Sequence, residues 1–274
     1  MIIADTSALV LNWTSKDTWK TDNARNYFDA LDLSAAAVLY ERFDKEMHLI
    51  QFQMLSNRKF FVRKAAVEFL EQCNAERANG QVIILAAGID PLSIELASLF
   101  SDSTIYDVDK YSLTEKEKYL NQACPNIKFV QCDITNIELL AMALVEKGWN
   151  SQQPSILIME GITYYLTENE LRQVLAFFSK HLSNLVCDFG LQPESVDPAK
   201  RLTGIEIVHK IKESVKLDFM NCYEPGYFTD LVQQCGFEKP VRYRMAAIQT
   251  QRTGKTSPFE GEESAWVSLV KTEP

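Results

Sequence analysis

The chain has 274 residues, of which 46% are hydrophobic and 24% are charged, a composition that suits a folded protein rather than a disordered one. Its formal net charge of −9 disfavours a broad electrostatic grip on nucleic acid. The first residues lack the features of a secretory signal, and no apolar run approaches the roughly 20 residues that span a bilayer. We therefore expect a soluble, cytoplasmic protein that binds neither nucleic acid nor a membrane.

The first third of the chain carries helical spacings and few strand patterns. Apolar residues recur at Phe43, Met47, Ile50 and Met54, and a further helical run covers residues 60–73. This pattern stops at residue 80. Residues 1–80 are therefore predicted to form a helical cap, and residues 81–274 a second unit.

From residue 82 onward, short apolar runs alternate with helical segments. Such alternation is typical of right-handed βαβ units and a parallel sheet. The predicted strands are 82–85, 104–108, 127–131, 155–160 and 185–189, and the helices between them are 92–100, 113–121, 136–147 and 168–181.

The last part of the chain breaks this alternation. Helices are predicted at 198–215 and 225–234, and strands at 241–248 and 265–270, joined by a polar loop over 249–263. The two strands read as a terminal hairpin. The sequence thus predicts an α/β fold with a seven-stranded, mostly parallel sheet that has one antiparallel strand.

A turn rich in small residues follows the first predicted strand, at Ala86-Ala87-Gly88-Ile89-Asp90-Pro91. Ligands of open α/β sheets bind at such carboxyl ends, where small residues let them approach the backbone. The alternative is that these residues only let a helix pack tightly on the strand. Because Ala86, Gly88 and Pro91 do not supply the G-x-G-x-x-G pattern of a pyrophosphate site, a dinucleotide is disfavoured.

Acidic residues lie at the ends of the next three strands. Asp107 and Asp109 follow Gly88 by about 20 residues, a spacing that suits binding of the ribose of any adenosyl cofactor. The alternative is that both are solvated loop residues. Asp133 with Ile134 suits an adenine ring or, alternatively, a helix N-cap. Glu160 could bind the charged amino acid end of a cofactor or shape the acceptor pocket. The alternative is that it is a salt-bridged carboxylate at the edge of the sheet.

Three sequence blocks resemble the leucine carboxyl methyltransferase family and its bacterial relatives in polyketide and other small-molecule O-methylation. Residues 57–63 are similar to its N-R-G-x-x-x-R segment, residues 85–90 to its G-A-G-x-D turn, and residues 160–167 to its E-G-x-x-x-Y-L-T block. Residues 106–109 and 132–134 are weaker matches. The blocks occur in order on the predicted elements. The chain departs from the family at Lys59 and at Ala86, where the family has glycine.

The resemblance implies a Rossmann-like methyltransferase fold that binds S-adenosyl-L-methionine (SAM) and releases S-adenosyl-L-homocysteine (SAH). It also implies a role for each matching residue. Arg58 and Glu160 bracket the methionine end, Ala86 and Gly88 line the backbone approach, Asp109 rather than Asp107 holds the ribose, and Asp133 with Ile134 frames the adenine.

The predicted function is O-methylation of a carboxyl or hydroxyl group on a small molecule or peptide terminus. A carboxylate is already ionised near neutral pH and needs no general base, whereas a hydroxyl needs one. Tyr164 and Tyr165 are candidates for orienting the acceptor, and His48, His181 and His209 are the candidate bases. The rival hypotheses are an NAD-dependent oxidoreductase and a non-catalytic binding protein that retains the fold.

The six cysteines form no C-x-x-C pair, and with only three histidines they supply no zinc spacing. Reduced and mostly buried thiols are expected, and no metal site is predicted.

Overall fold

The computed structural model describes residues 2–111, 113–120, 123–181, 183–215, 219–261 and 263–272. In this part of the chain, eleven α-helices and eight strands alternate with short 3₁₀ turns. The helices are α1 (Ile2–Asn12), α2 (Asp22–Ala30), α3 (Ala37–Tyr40), α4 (Lys45–Ala75), α5 (Leu92–Leu99), α6 (Thr114–Leu120), α7 (Ile137–Glu146), α8 (Glu168–Ser179), α9 (Pro198–Val215), α10 (Pro225–Gln234) and α11 (Met245–Thr253). The strands are β1 (Gln81–Leu85), β2 (Thr104–Asp109), β3 (Ile127–Gln131), β4 (Ser155–Met159), β5 (Ser183–Leu191), β6 (Cys222–Tyr223), β7 (Pro240–Tyr243) and β8 (Val267–Thr272).

The strands form one sheet in the order β3-β2-β1-β4-β5-β8-β7, and β6 pairs with the end of β5. Strands β1 to β5 are parallel, whereas β8 is antiparallel to both of its neighbours. The predicted mostly parallel sheet with one antiparallel strand is therefore confirmed. The strand count differs by one because β6 has only two residues, too few to show an alternating pattern.

The centre of the sheet is fully buried. All five residues of β1 and all five of β4 are buried. This explains the continuous apolar runs, since strands covered on both faces need no polar face. The adjacent carboxyl ends of these two strands position the turn after β1 and the segment after β4.

Helix α4 is a single helix of 31 residues, although the sequence pattern suggested separate stretches. It begins at Asp44, whose side chain accepts the amide of Met47 as an N-cap. The helix packs against α11, α5 and strands β4, β5 and β8. Its polar segment Asn57-Arg58-Lys59 is buried, so Arg58 is not a solvated surface cation. No described helix is long and apolar enough to cross a bilayer.

The prediction of a strand over residues 241–248 is wrong in its second half. Strand β7 ends at Tyr243, and helix α11 follows. Met245, Ile248 and Gln249 are buried with helical spacing on the side that packs against α4, and Gly254 ends the helix with φ +75°. The polar loop predicted over 249–263 therefore begins only after α11, although the predicted antiparallel pairing of β7 with β8 is present.

Four of the six cysteines are buried, and all six are free thiols. The described residues contain no cluster of three or more histidine, cysteine or acidic side chains suited to a metal ion.

Candidate active site

A cavity of about 370 Å³ lies at the carboxyl ends of β1, β2, β3 and β4. In the sheet register, Leu85 of β1 lies between Val108 of β2 and Met159 of β4, so the residues that follow these strands converge. Eight of the ten predicted site residues line the cavity: Arg58, Ala86, Asp107, Asp109, Asp133, Ile134, Glu160 and Tyr165. Gly88 and Tyr164 are not among its lining residues.

The turn after β1 has two residues in the left-handed region. Ala86 has φ +54° and Gly88 has φ +51°. Glycine adopts this conformation freely, but alanine is strained there. A Cβ atom at Gly88 would lie 3.0 Å from Ser7 Oγ of α1, so this position also needs glycine for a close approach. Ala86 therefore adopts a glycine-like backbone and places a methyl group on the cavity wall.

Both aspartates of β2 are buried, so the alternative that they are solvated loop residues is wrong. Asp109 accepts the backbone amides of Gly88 (3.0 Å) and Tyr111 (2.9 Å), which ties it to the turn after β1. Asp107 lies deeper. Its Oδ2 accepts a hydrogen bond from Ser93 (2.7 Å) and lies 2.7 Å from Lys116 Nζ, whereas Oδ1 has no hydrogen-bond partner.

A cluster of buried charges closes the opposite end of the cavity. Glu160 Oε1 accepts a hydrogen bond from Arg58 Nε (2.9 Å) and lies 2.6 Å from Lys59 Nζ. Lys59 also pairs with Asp90, and Arg58 Nη1 donates to Asp188 (3.0 Å). Glu160 is thus a salt-bridged carboxylate, as its alternative interpretation held, and it also lines the cavity.

These ion pairs keep both cations charged. Burial by itself would lower the pKa of Lys59, but Asp90 and Glu160 hold that pKa above its usual value. Burial acts in the same direction on Arg58, and Asp188 and Glu160 raise its pKa overall. Arg58 and Lys59 are therefore permanent cations at neutral pH.

Asp188 is the central acceptor of this cluster and was missed by the sequence analysis. It is inaccessible to solvent and accepts the amide of Gly161 (2.6 Å) and the hydroxyl of Tyr164 (2.6 Å) as well as the guanidinium of Arg58. Gly161 has φ +70°, and an added Cβ would lie 3.4 Å from Arg58 Nη2. The available signal was a single acid inside the apolar strand β5, whose register places it beside Glu160.

The two candidate tyrosines have different surroundings. The hydroxyl of Tyr164 donates to Asp188, and Tyr164 does not line the cavity. Tyr165 lines it. Burial raises the pKa of both phenols, so both stay protonated at neutral pH and are donors rather than bases. Their roles toward an acceptor stay predictions.

The third strand delivers Asp133 and Ile134 to the far end of the cavity. Asp133 Oδ1 accepts the amide (3.0 Å) and the hydroxyl (2.7 Å) of Thr135. The amide of Thr135 is also the main reason why the pKa of Asp133 lies below its usual value. The N-cap of α7 is Asn136, so the alternative of Asp133 as that cap is wrong.

No histidine of the described chain lines the cavity. His48 accepts a hydrogen bond from the indole of Trp13 and stacks on Tyr40, and His181 packs against Trp149. His209 is exposed and pairs with Glu213. None of the three candidate bases is therefore in contact with the site.

The cavity fits an adenosyl amino acid in its donor and acceptor groups. Four carboxylate oxygens of its lining residues have no hydrogen-bond partner among the described residues: Asp107 Oδ1, Asp133 Oδ2, Glu160 Oε2 and Glu170 Oε1. Such oxygens can accept ribose hydroxyls, an exocyclic amine and an ammonium group. Arg58, which donates a hydrogen bond to Glu160, supplies a cation for the carboxylate of the amino acid. One residue does not fit, since Lys59 already contacts Glu160.

Comparison with solved structures supports the fold. A proposed methyltransferase from Thermobifida fusca YX superposes with a TM-score of 0.60 at 16% identity, over 93% of this chain and 96% of that one. An O-methyltransferase family protein from Burkholderia thailandensis has a TM-score of 0.50 at 12% identity, over 82% of this chain and 60% of that one. At these identities the likeness shows the fold alone. No curated protein matches the chain.

The model of the family described as leucine carboxyl methyltransferase matches residues 3–179. This match covers more than half of the chain and includes all three of the resembling blocks. It confirms the predicted family, the predicted SAM-dependent methyltransferase class and, with that class, its cofactor. The chain belongs to the leucine carboxyl methyltransferase family.

Proposed function

We propose that this protein is an O-methyltransferase that binds SAM in the cavity and methylates a carboxyl group of a small molecule or peptide terminus. The observation that carries the proposal is the convergence of acidic residues from the carboxyl ends of β2, β3 and β4 on one cavity that a buried arginine also lines. Its volume of about 370 Å³ lies within the usual range of small-molecule sites.

The proposed cofactor contacts follow from the unpartnered oxygens and, at Asp109, whose two oxygens already accept backbone amides, from the family match. Glu160 Oε2 would accept the ammonium group of the methionine end, and Arg58 would hold its carboxylate. The ribose would lie against Asp109 and Asp107. The adenine would lie against Ile134, with Asp133 Oδ2 accepting its amine. Ala86 and Gly88 would shape the turn that the cofactor approaches.

A carboxyl acceptor is favoured over a hydroxyl because no histidine of the described chain lines the cavity. SAM supplies an activated methyl group on a sulfonium, so the protein must orient the acceptor and exclude water. An ionised carboxylate needs no proton removal. Tyr165, which stays protonated, would donate to that carboxylate, and Lys110 at the cavity wall would balance its charge.

We further propose that residues 1–80 act as a cap on the methyltransferase domain 81–274. Three side chains of α1, those of Ser7, Val10 and Leu11, line the cavity. Ser7 also touches Gly88 of the cofactor turn. Closure by this helix would exclude water from the acceptor.

Calorimetric titration with SAM, SAH and NAD tests the cofactor site. We expect SAM and SAH to bind and NAD not to bind. Glu160→Gln and Asp109→Asn should each weaken SAH binding by about tenfold or more, because each removes a charged acceptor. Glu213→Gln is the matched control, since Glu213 is exposed and outside the cavity. Absence of SAM and SAH binding at about 1 mM would contradict the proposal.

The chemistry of the product tests the acceptor class. Incubation with SAM carrying a labelled methyl group and a panel of carboxylic acids, peptides and phenols should label the carboxyl compounds. A methyl ester releases methanol in mild alkali, whereas a methyl ether does not. Label that resists alkali would show a hydroxyl acceptor and refute the carboxyl assignment, while leaving methyl transfer itself intact.

A further inference from the structure

Lys59 is an unusual residue for the wall of an adenosyl site. Its side chain is 5% exposed, and its ammonium contacts carboxylates on two different segments, Asp90 after β1 and Glu160 after β4. It lines the cavity beside Arg58. The ammonium is therefore a fixed charge inside the site rather than a surface lysine.

The lysine ammonium is chemically the same group as the ammonium of an amino acid. In the proposed function, Glu160 receives the ammonium of the methionine end. Lys59 Nζ already lies 2.6 Å from Glu160 Oε1. A second ammonium at this carboxylate would be repelled by the first, because like charges at such distances disfavour each other in a buried site.

The charge inventory leads to the same result. The described cluster contains two cations, Arg58 and Lys59, and three anions, Asp90, Glu160 and Asp188. Without Lys59, one cation would face three anions, a net charge of −2. Lys59 reduces this net charge to −1 and thereby weakens the attraction for an incoming ammonium.

We propose that Lys59 is a specificity-determining residue that places a positive charge beside the ammonium position of the cofactor site and thereby weakens binding of the amino acid end of SAM and SAH. The proposal rests on the proposed function. The incoming ammonium at Glu160 Oε2 would lie beside the lysine ammonium at Oε1 and be repelled by it. An adenosyl thioether without an amino acid end has no such ammonium and binds without this penalty.

Calorimetry with SAH and with 5′-methylthioadenosine, which lacks the amino acid end, tests this selectivity. The wild-type protein should bind the two within about threefold of each other. Lys59→Met should tighten SAH binding by about tenfold or more and leave methylthioadenosine within about threefold. Lys59→Gly, which restores the residue of the family segment, should act in the same direction. Lys59→Arg keeps the cation and should retain wild-type selectivity.

Circular dichroism and thermal melts check that each variant is folded. Glycine within a helix is destabilising, so Lys59→Met, which has a side chain of similar length, serves as the main variant. The proposal is overturned if Lys59→Met leaves SAH binding unchanged or weakens it; weakening would mean that Lys59 holds the cofactor carboxylate. That result would leave the proposed function intact. If no folded variant binds either compound, the cofactor site itself is refuted, and this inference with it.

Discussion

Ala86→Gly should stabilise the protein, which is unusual for a change to glycine. Ala86 has φ +54°, where a non-glycine residue costs roughly 1–2 kcal/mol. Glycine removes this strain but gives the unfolded chain more freedom, at a cost of roughly 0.4–1 kcal/mol. The net expected gain in the free energy of unfolding is about 0.8 kcal/mol. For a chain of this size, the melting temperature should rise by about 2 °C.

Ala87→Gly is the matched control in the same turn. Ala87 is buried and is not in the left-handed region, so glycine there relieves no strain. It loses a buried methyl group and gains chain entropy, a combined destabilisation of about 1–2 kcal/mol. Urea denaturation of both variants measures the difference. A loss of stability in Ala86→Gly as large as in Ala87→Gly would refute the assignment of strain.

Two further predictions concern buried polar groups away from the cavity. Glu95→Gln should lower the free energy of unfolding by about 2–3 kcal/mol, because Glu95 is inaccessible to solvent and pairs with Arg63. Glu68, which pairs with Lys271 and is more exposed, is the control, and Glu68→Gln should lower the free energy of unfolding by less than about 1 kcal/mol. Equal losses of the two variants in urea denaturation would contradict the prediction. Burial raises the pKa of Tyr106 and of Tyr223 to about 12, so both phenols should stay protonated in the folded protein near pH 11 and ionise on unfolding, which tyrosinate absorbance measures. Because the pKa of a tyrosine in the unfolded chain is about 10, the free energy of unfolding should fall as pH rises from about 10 towards 12. The fall should be smaller in Tyr106→Phe, and an equal fall in the wild type and this variant would refute the raised pKa of Tyr106.

The sheet was predictable because its strands are short apolar runs separated by helical patterns. Strand β3 coincides with its predicted bounds, and β1, β2 and β4 differ by one residue at an end. Full burial imposes this regularity, since a strand covered on both faces admits few polar residues. The apolar pattern of these strands thus reflects their burial in the centre of the sheet.

The C-terminal helix α11 was not predictable from local pattern alone. Residues 245–248 continue the apolar character of β7, but Arg252 of α11 donates to Asn57 of α4 (2.7 Å), and Ile248 is fully buried. These contacts join residues almost 200 positions apart. Tertiary packing therefore decides between helix and strand here, and a short apolar segment is compatible with both.

The role of Asp188 in the site could not be predicted from the sequence motifs. The sequence blocks identified Arg58 and Glu160, but nothing in them indicated a second acid for the arginine. Only the register of β5 beside β4 places Asp188 next to Glu160. A buried guanidinium with several donors is stabilised best by more than one acceptor, so the pairing of strands completes what the motif begins.

The polar segment Asn57-Arg58-Lys59 carried a readable signal in its surroundings. Consecutive helix residues diverge by about 100° around the axis, so Arg58 and Lys59 cannot both share one solvated face in the middle of a helix that is buried around them. Apolar residues Met54, Leu55, Phe61 and Val62 flank the segment on both sides and are buried. Buried charges persist only when they are paired. The two cations therefore required acidic partners elsewhere in the chain, and the carboxyl ends of the central strands are the place where the sequence supplies them.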